Sequence, residues 1–161
     1  ITALPAYVGI AYVNQNAPKA ILLVEDNEDD AFFAEQALKA AGVQNPLRIA
    51  RDGEEALDYL GGTGKFADRD KFPFPGLVLL DLKLPYYSGL EILAWMREKS
   101  LLGKTTVAVL TSSSEPSDLK RAYELGTNTY LVKPPTPQMI YDIVRNLKLD
   151  WLRCHGSPRP E

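Results

Sequence analysis

Five short apolar runs, each followed by a segment long enough for a helix, limit what this chain can fold into. The runs are residues 20–24, 46–50, 77–80, 106–110 and 129–132. Runs of this length and character read as buried strands. The intervening segments carry helix signals. Ala31, Ala34, Leu38 and Ala41 recur at helical spacing over 28–41, and Gly42 follows as a stop. Asp52 is placed to cap a helix over 53–60, closed by Gly61-Gly62. Ser88 is placed to cap a helix to Lys99 that turns Leu90, Leu93 and Met96 inward. Pro116 suits a first helical turn, with Gly126 as the stop. Thr136 caps a last helix, expected from Pro137 to about Leu149. Strict alternation predicts an α/β fold with a five-stranded parallel sheet and helices on both faces. The segment 62–76, with Pro73 and Pro75, is long for a connection and reads as a loop.

Three of the apolar runs end abruptly in charge. Glu25-Asp26 follows the first, Asp81 the third and Lys133 the fifth, and Thr111 closes the fourth. In parallel sheets of this kind, ligands bind outside the carboxyl ends of the strands. The charged residues are therefore expected to meet there. Taken singly, each has an ordinary explanation. A strand-end aspartate is often a cap, Glu25-Asp26 would suit the positive end of a helix, Lys133 would pass for a loop lysine, and the string Thr111–Ser114 for a turn. Taken together, the ordinary explanations require four polar groups to converge by accident.

Such a pocket has a definite chemistry. A buried Asp81 among other carboxylates is repelled, and a bound cation removes the penalty. Magnesium favours oxygen ligands, which Asp26 and Asp81 supply, with Glu25 acting directly or through water and a backbone carbonyl just after Asp81, that of Lys83, completing the set. Asp81 is then placed to attack a phosphoryl group and form an aspartyl phosphate. Lys133 is the natural ammonium to share the phosphoryl charge, and Thr111 a hydroxyl to hydrogen-bond it.

The bulk properties exclude some classes. The 161 residues suit one compact domain, and 45% hydrophobic with 24% charged residues is ordinary for a globular protein. Net charge is −3, the pI is about 5.3, and no Lys/Arg-rich run occurs, so nucleic acid and membrane surfaces are not expected partners. Cys154 is the lone cysteine, which rules out an internal disulfide and fits a cytoplasmic location. No apolar stretch reaches the length of a spanning helix, and the N-terminus lacks the pattern of a signal peptide. Residues 1–18 read as an N-terminal arm or an added remnant, 19–150 as the folded domain and 151–161 as a C-terminal tail.

The segments Val24-Glu25-Asp26-Asn27, Leu79-Leu80-Asp81-Leu82-Lys83-Leu84-Pro85, Ser88-Gly89, Leu110-Thr111-Ser112-Ser113 and Tyr130-Leu131-Val132-Lys133-Pro134-Pro135 resemble those of response-regulator receiver domains of two-component signalling. Thr111 lies 30 and Lys133 lies 52 residues after Asp81, in keeping with that family. The resemblance implies a flavodoxin-like (βα)5 fold with strand order 2-1-3-4-5. It implies Asp81 as phosphoacceptor, Glu25 and Asp26 as the acidic pair for Mg²⁺, and Thr111 and Lys133 as the residues that sense or hold the phosphoryl group. Tyr130 matches the switch aromatic, and the Lys133–Pro134 bond matches a position that is commonly cis. The long 62–76 segment and Trp151 look like stand-alone regulators that partner bacterial phytochrome-type histidine kinases. Within that segment, Phe66, Phe72 and Phe74 are expected to pack on the domain, with a partner surface as the other reading.

A receiver of this length is expected to act through protein contacts, or as a phosphate shuttle or sink, because the tail is too short for an output domain. Catalysis is expected only of its own phosphorylation and dephosphorylation. The face of the fourth helix, fifth strand and fifth helix, carrying Lys120, Arg121, Glu124, Asp142 and Arg145, suits charge-complementary pairing, a homodimer included. His155 has no surroundings resembling a phosphotransfer histidine. The chief alternative is a pseudo-receiver, an interaction module that is never phosphorylated. A phosphohydrolase would want an acid two places after Asp81, where Lys83 stands. A flavin carrier would set its phosphate against an acid-lined edge.

Overall fold

A computed structural model describes residues 19–112 and 116–152. The expected arm over 1–18, Ser113, Ser114, Cys154 and His155 lie outside the described residues. The strands are β1 (Ala20–Val24), β2 (Leu47–Ala50), β3 (Pro75–Asp81), β4 (Thr106–Thr111) and β5 (Thr129–Val132). The helices are α1 (Glu28–Ala40), α2 (Gly53–Gly61), α3 (Gly89–Glu98), α4 (Pro116–Leu125) and α5 (Pro137–Asn146). The strands form one parallel sheet in the order β2-β1-β3-β4-β5. The fold class and strand order are those expected.

Strand alternation sorts the core into two layers. On one face Leu22, Val24, Val78, Leu80, Val107 and Val109 pack under α2, α3 and α4. On the other, Ile21, Leu23, Leu77, Leu79, Ala108 and Leu110 pack under α1 and α5. β1 and β3 are buried over their whole length because both faces are covered. Caps hold the helices where the sequence places them: the side chains of Asp52, Ser88 and Thr136 accept from Glu55, Glu91 and Met139 N–H groups. In α3 the inward set differs by one turn position. Ile92, Leu93 and Met96 are buried, while Leu90 only rests against the core edge.

The long connection before β3 contains a 3₁₀ turn, Gly64–Phe66, in place of a plain loop. Phe66, Phe72 and Phe74 pack inward, as in the first of the two readings. The Tyr59 ring packs tilted against Phe66 at 5.0 Å, and its hydroxyl donates to Pro73 O at 2.9 Å. Arg69 donates to Tyr59 O and Leu60 O, both at 2.8 Å, which caps carbonyls at the end of α2. The packed body runs past the expected boundary at 150. Leu152 lies in the layer under α5, and Asn45 Nδ2 donates to both Lys19 O (3.0 Å) and Trp151 O (3.4 Å). Among the described residues no helix is long and apolar enough to cross a membrane.

One glycine decides how closely the chain returns to β3. A Cβ on Gly89 would lie 2.6 Å from Leu82 Cα and would also strike the Asp81 carbonyl oxygen. The start of α3 can therefore seat against the end of β3 only without a side chain. A Cβ on Gly103 meets nothing. Gly89→Ala is expected to lower the unfolding free energy by about 2 kcal/mol or more, and Gly103→Ala to change it by less than about 0.5 kcal/mol. Urea unfolding followed by circular dichroism checks both.

Candidate functional site

The register of the sheet builds the site. Val24 pairs with Leu80, so the next residues, Glu25 and Asp81, stand level at the carboxyl edge of neighbouring strands. Glu25 N–H still bonds Ala50 O at 2.9 Å, which ties the acid to the strand edge. The chain turns out of the sheet at Asp26, whose side chain is exposed, and Asn27 caps α1 by accepting from Asp30 N–H. β4 brings Thr111 beside Val132 of β5. The Thr111 carbonyl accepts from Lys133 N–H at 2.8 Å, and the cis Lys133–Pro134 bond follows.

Lys133 reaches across the edge to the acids. Its Nζ lies 2.9 Å from Asp81 Oδ2, 2.5 Å from Glu25 Oε1 and 3.2 Å from Asp30 Oδ2. The contact with Glu25 is an ion pair without the alignment of a hydrogen bond. Lys83 N–H donates to Asp81 Oδ1 at 3.0 Å, so both oxygens of Asp81 are engaged. Glu25 is completely inaccessible and Lys133 is 10% exposed at its side chain. Carboxylate oxygens of Glu25, Asp26 and Asp81 all lie within 4.8 Å of one another.

Electrostatics follow from this crowding. Burial raises the Glu25 carboxyl to about 7, Asp81 beside it acts in the same direction, and Lys133 opposes both. Burial alone would depress the Lys133 ammonium, but the Glu25 and Asp81 carboxylates outweigh it and hold it above its ordinary value. A hard divalent cation fits this donor set: three carboxylates of like charge, two of them buried, with one ammonium as counter-charge. A cation held there would neutralise the excess acid charge.

Glu25, Asp26, Asp81, Lys83, Thr111 and Lys133 lie along this one edge, whereas Tyr130 stands within β5, level with Val109. Thr111 is buried and lines a small cavity with Asp81, Leu82, Lys83, Ser112 and Asp118. Tyr130 points outward, 39% exposed, with its ring edge-on to Tyr123 at 6.4 Å. Lys83 is exposed, and its backbone rather than its ammonium touches Asp81. Two acids were not foreseen. Asp118, from the first turn of α4, borders the cavity, and Asp30, from the first turn of α1, reaches Lys133. The larger cavities, about 400 Å³ beside β5 and α5 and about 640 Å³ between α2 and α3, hold none of the acid–lysine group.

The raised Glu25 carboxyl sets a pH dependence. Without metal, its raised value favours the folded state at low pH, and that contribution is lost as pH rises from about 4.5 through about 7. Cation binding runs the other way, because the proton on Glu25 competes with the ion. Mg²⁺ affinity is expected to rise between about pH 6 and pH 8, steeply at first and levelling off above about 7. Isothermal titration calorimetry of the protein and of Glu25→Gln checks this. The variant should lose most of the slope, and a flat profile for the unaltered protein would contradict the assignment.

Comparison with known proteins bears on this geometry. The family described as "Response regulator receiver domain" matches residues 21–145. Response regulator Rcp1 of Synechocystis sp. (strain PCC 6803) is 36% identical over 143 residues, which are 89% of this chain and 95% of Rcp1. The Mn²⁺-bound form of Rcp1 superposes with a TM-score of 0.67 at 35% identity, covering 88% of this chain and 99% of that one. The bacteriophytochrome response regulator AtBRR superposes with a TM-score of 0.72 at 43% identity, covering 81% and 92%. The phosphorylated cyanobacterial phytochrome response regulator RcpA gives 0.69 at 35% identity, covering 84% and 94%. With its strand order, its acid–lysine edge and a family match over most of its length, the chain belongs to the response-regulator receiver domains of two-component signalling.

Proposed function

We propose that Asp81 accepts a phosphoryl group from a histidine kinase, with Mg²⁺ held by Glu25, Asp26, Asp81 and the backbone carbonyl of Lys83. The observation that carries this reading is the Lys133 ammonium 2.9 Å from Asp81 Oδ2, inside a cluster of three carboxylates. A carboxylate oxygen of Asp81 attacks phosphorus, the bond from phosphorus to the histidine nitrogen breaks, and the imidazole leaves with that electron pair. Lys133 supplies positive charge at the phosphoryl oxygens, and the burial of the edge strengthens that interaction. The Lys83 N–H on Asp81 Oδ1 holds the carboxylate plane in place.

Thr111 is the proposed phosphoryl sensor and Tyr130 its partner. The buried position of Thr111 beside Asp81 and the outward ring of Tyr130 support this pairing. A threonine drawn toward the phosphoryl group vacates space for the ring, and the two ring positions are the two states of the switch. Phosphorylation shifts their balance only by binding one better than the other. The face of α4, β5 and α5 is the proposed readout, as a homodimer contact. Tyr123, Tyr130 and Val132 are exposed there and give it an apolar centre. A phytochrome-type kinase in the cytoplasm is the proposed donor, on the strength of the likeness to AtBRR and to RcpA.

Intact mass measurement after incubation with acetyl phosphate and Mg²⁺ tests the acceptor. One phosphoryl group is expected on the unaltered protein and none on Asp81→Asn. Undiminished labelling of the variant would remove Asp81 from the reaction. An unaltered protein that neither labels nor binds Mg²⁺ would favour the pseudo-receiver.

A further inference from the structure

Lys133 Nζ donates to Asp81 Oδ2 and Asp30 Oδ2 and forms an ion pair with Glu25 Oε1. An ammonium has three N–H donors, and the three carboxylates of Glu25, Asp81 and Asp30 surround this one. A phosphoryl oxygen that reaches Lys133 enters among these three carboxylates, and the one held least tightly gives way first. The Glu25 pair is the costliest to break, because it would strand a charge with no access to water. Asp81 is the acceptor itself. Asp30 differs from both. It lies outside the cluster of Glu25, Asp26 and Asp81, and it comes from the first turn of α1, 103 residues from Lys133. Its side chain is 38% exposed against 10% for Lys133, so water can take over its hydrogen bonds at little cost. Its place in the first turn suits the helix dipole, but the dipole does not explain a side chain turned onto Lys133.

We propose that Asp30 is a positioning residue that competes with the phosphoryl group for Lys133. It occupies one Nζ–H donor while Asp81 is unmodified and yields that donor to a phosphoryl oxygen. The arrangement holds the ammonium at the acceptor beforehand and weakens the hold on the anion afterwards. This inference rests on Asp81 being the acceptor.

The test is a double-mutant cycle with beryllofluoride, which stands in for the phosphoryl group, at saturating Mg²⁺. Asp30→Asn is expected to bind the probe about fivefold more tightly than the unaltered protein. In a Lys133→Met background the same substitution should change affinity by less than about twofold. An equal gain in both backgrounds would mean that Asp30 acts by its field alone, and no gain in the first would mean that it does not compete. Either result overturns the proposal. If Lys133→Met binds the probe too weakly, a crystal structure of the unaltered complex decides. Nζ should lie on a fluoride and more than about 4 Å from Asp30, and an unbroken Lys133–Asp30 contact overturns it. An unaltered protein that binds no beryllofluoride removes the phosphoacceptor reading as well, whereas tight binding with Asp30 unmoved removes only this inference.

Discussion

One ammonium holds together the carboxyl edge of the sheet. Glu25 and Asp81 stand level on neighbouring strands, both buried, where two carboxylates would otherwise repel each other out of reach of water. Lys133 supplies the compensating charge from two strands away. Removing one member of such a buried group is costly because the others remain charged and dry. The edge is thus tense by construction. It carries more acid than base, and that imbalance makes a divalent cation its complementary occupant.

The rest of the architecture serves that edge. Parallel pairing aligns the strand ends, and two apolar layers fix the sheet so that the ends cannot drift. Gly89 lets α3 return against β3, which keeps the segment after Asp81 short and pinned. Thr111 borders the acids on β4, and on the neighbouring β5 Tyr130 meets the exposed Tyr123 of α4 edge-on. Under the proposed function, this is the route by which a chemical change at Asp81 reaches a surface another protein can read.

Much of this was legible in the sequence because the signals are local. Apolar runs fix the strands, and Asp52, Ser88 and Thr136 cap their helices as single residues acting on neighbours. Glu25, Asp81 and Lys133 stand out because charge ends an apolar run abruptly. Asp30 did not, because an aspartate in a first helical turn is what the helix dipole favours, and its contact with Lys133 exists only after folding. The inward turn of Leu152 and the 3₁₀ turn at Gly64–Phe66 are likewise products of packing, against α5 and Tyr59, that no local pattern encodes. Leu90 and Ile92 exchanged places because both satisfy helical spacing and only the neighbouring helices decide between them.

Under the proposed function this edge is an ion site shared by Asp26 and Asp81, with Lys133 beside it. Anomalous diffraction from a crystal soaked in Mn²⁺ measures it directly. A peak within bonding distance of carboxylate oxygens of both aspartates, with Lys133 Nζ off the metal, is the predicted result. A protein saturated with Mn²⁺ that shows its peak elsewhere, or none at this edge, would contradict it.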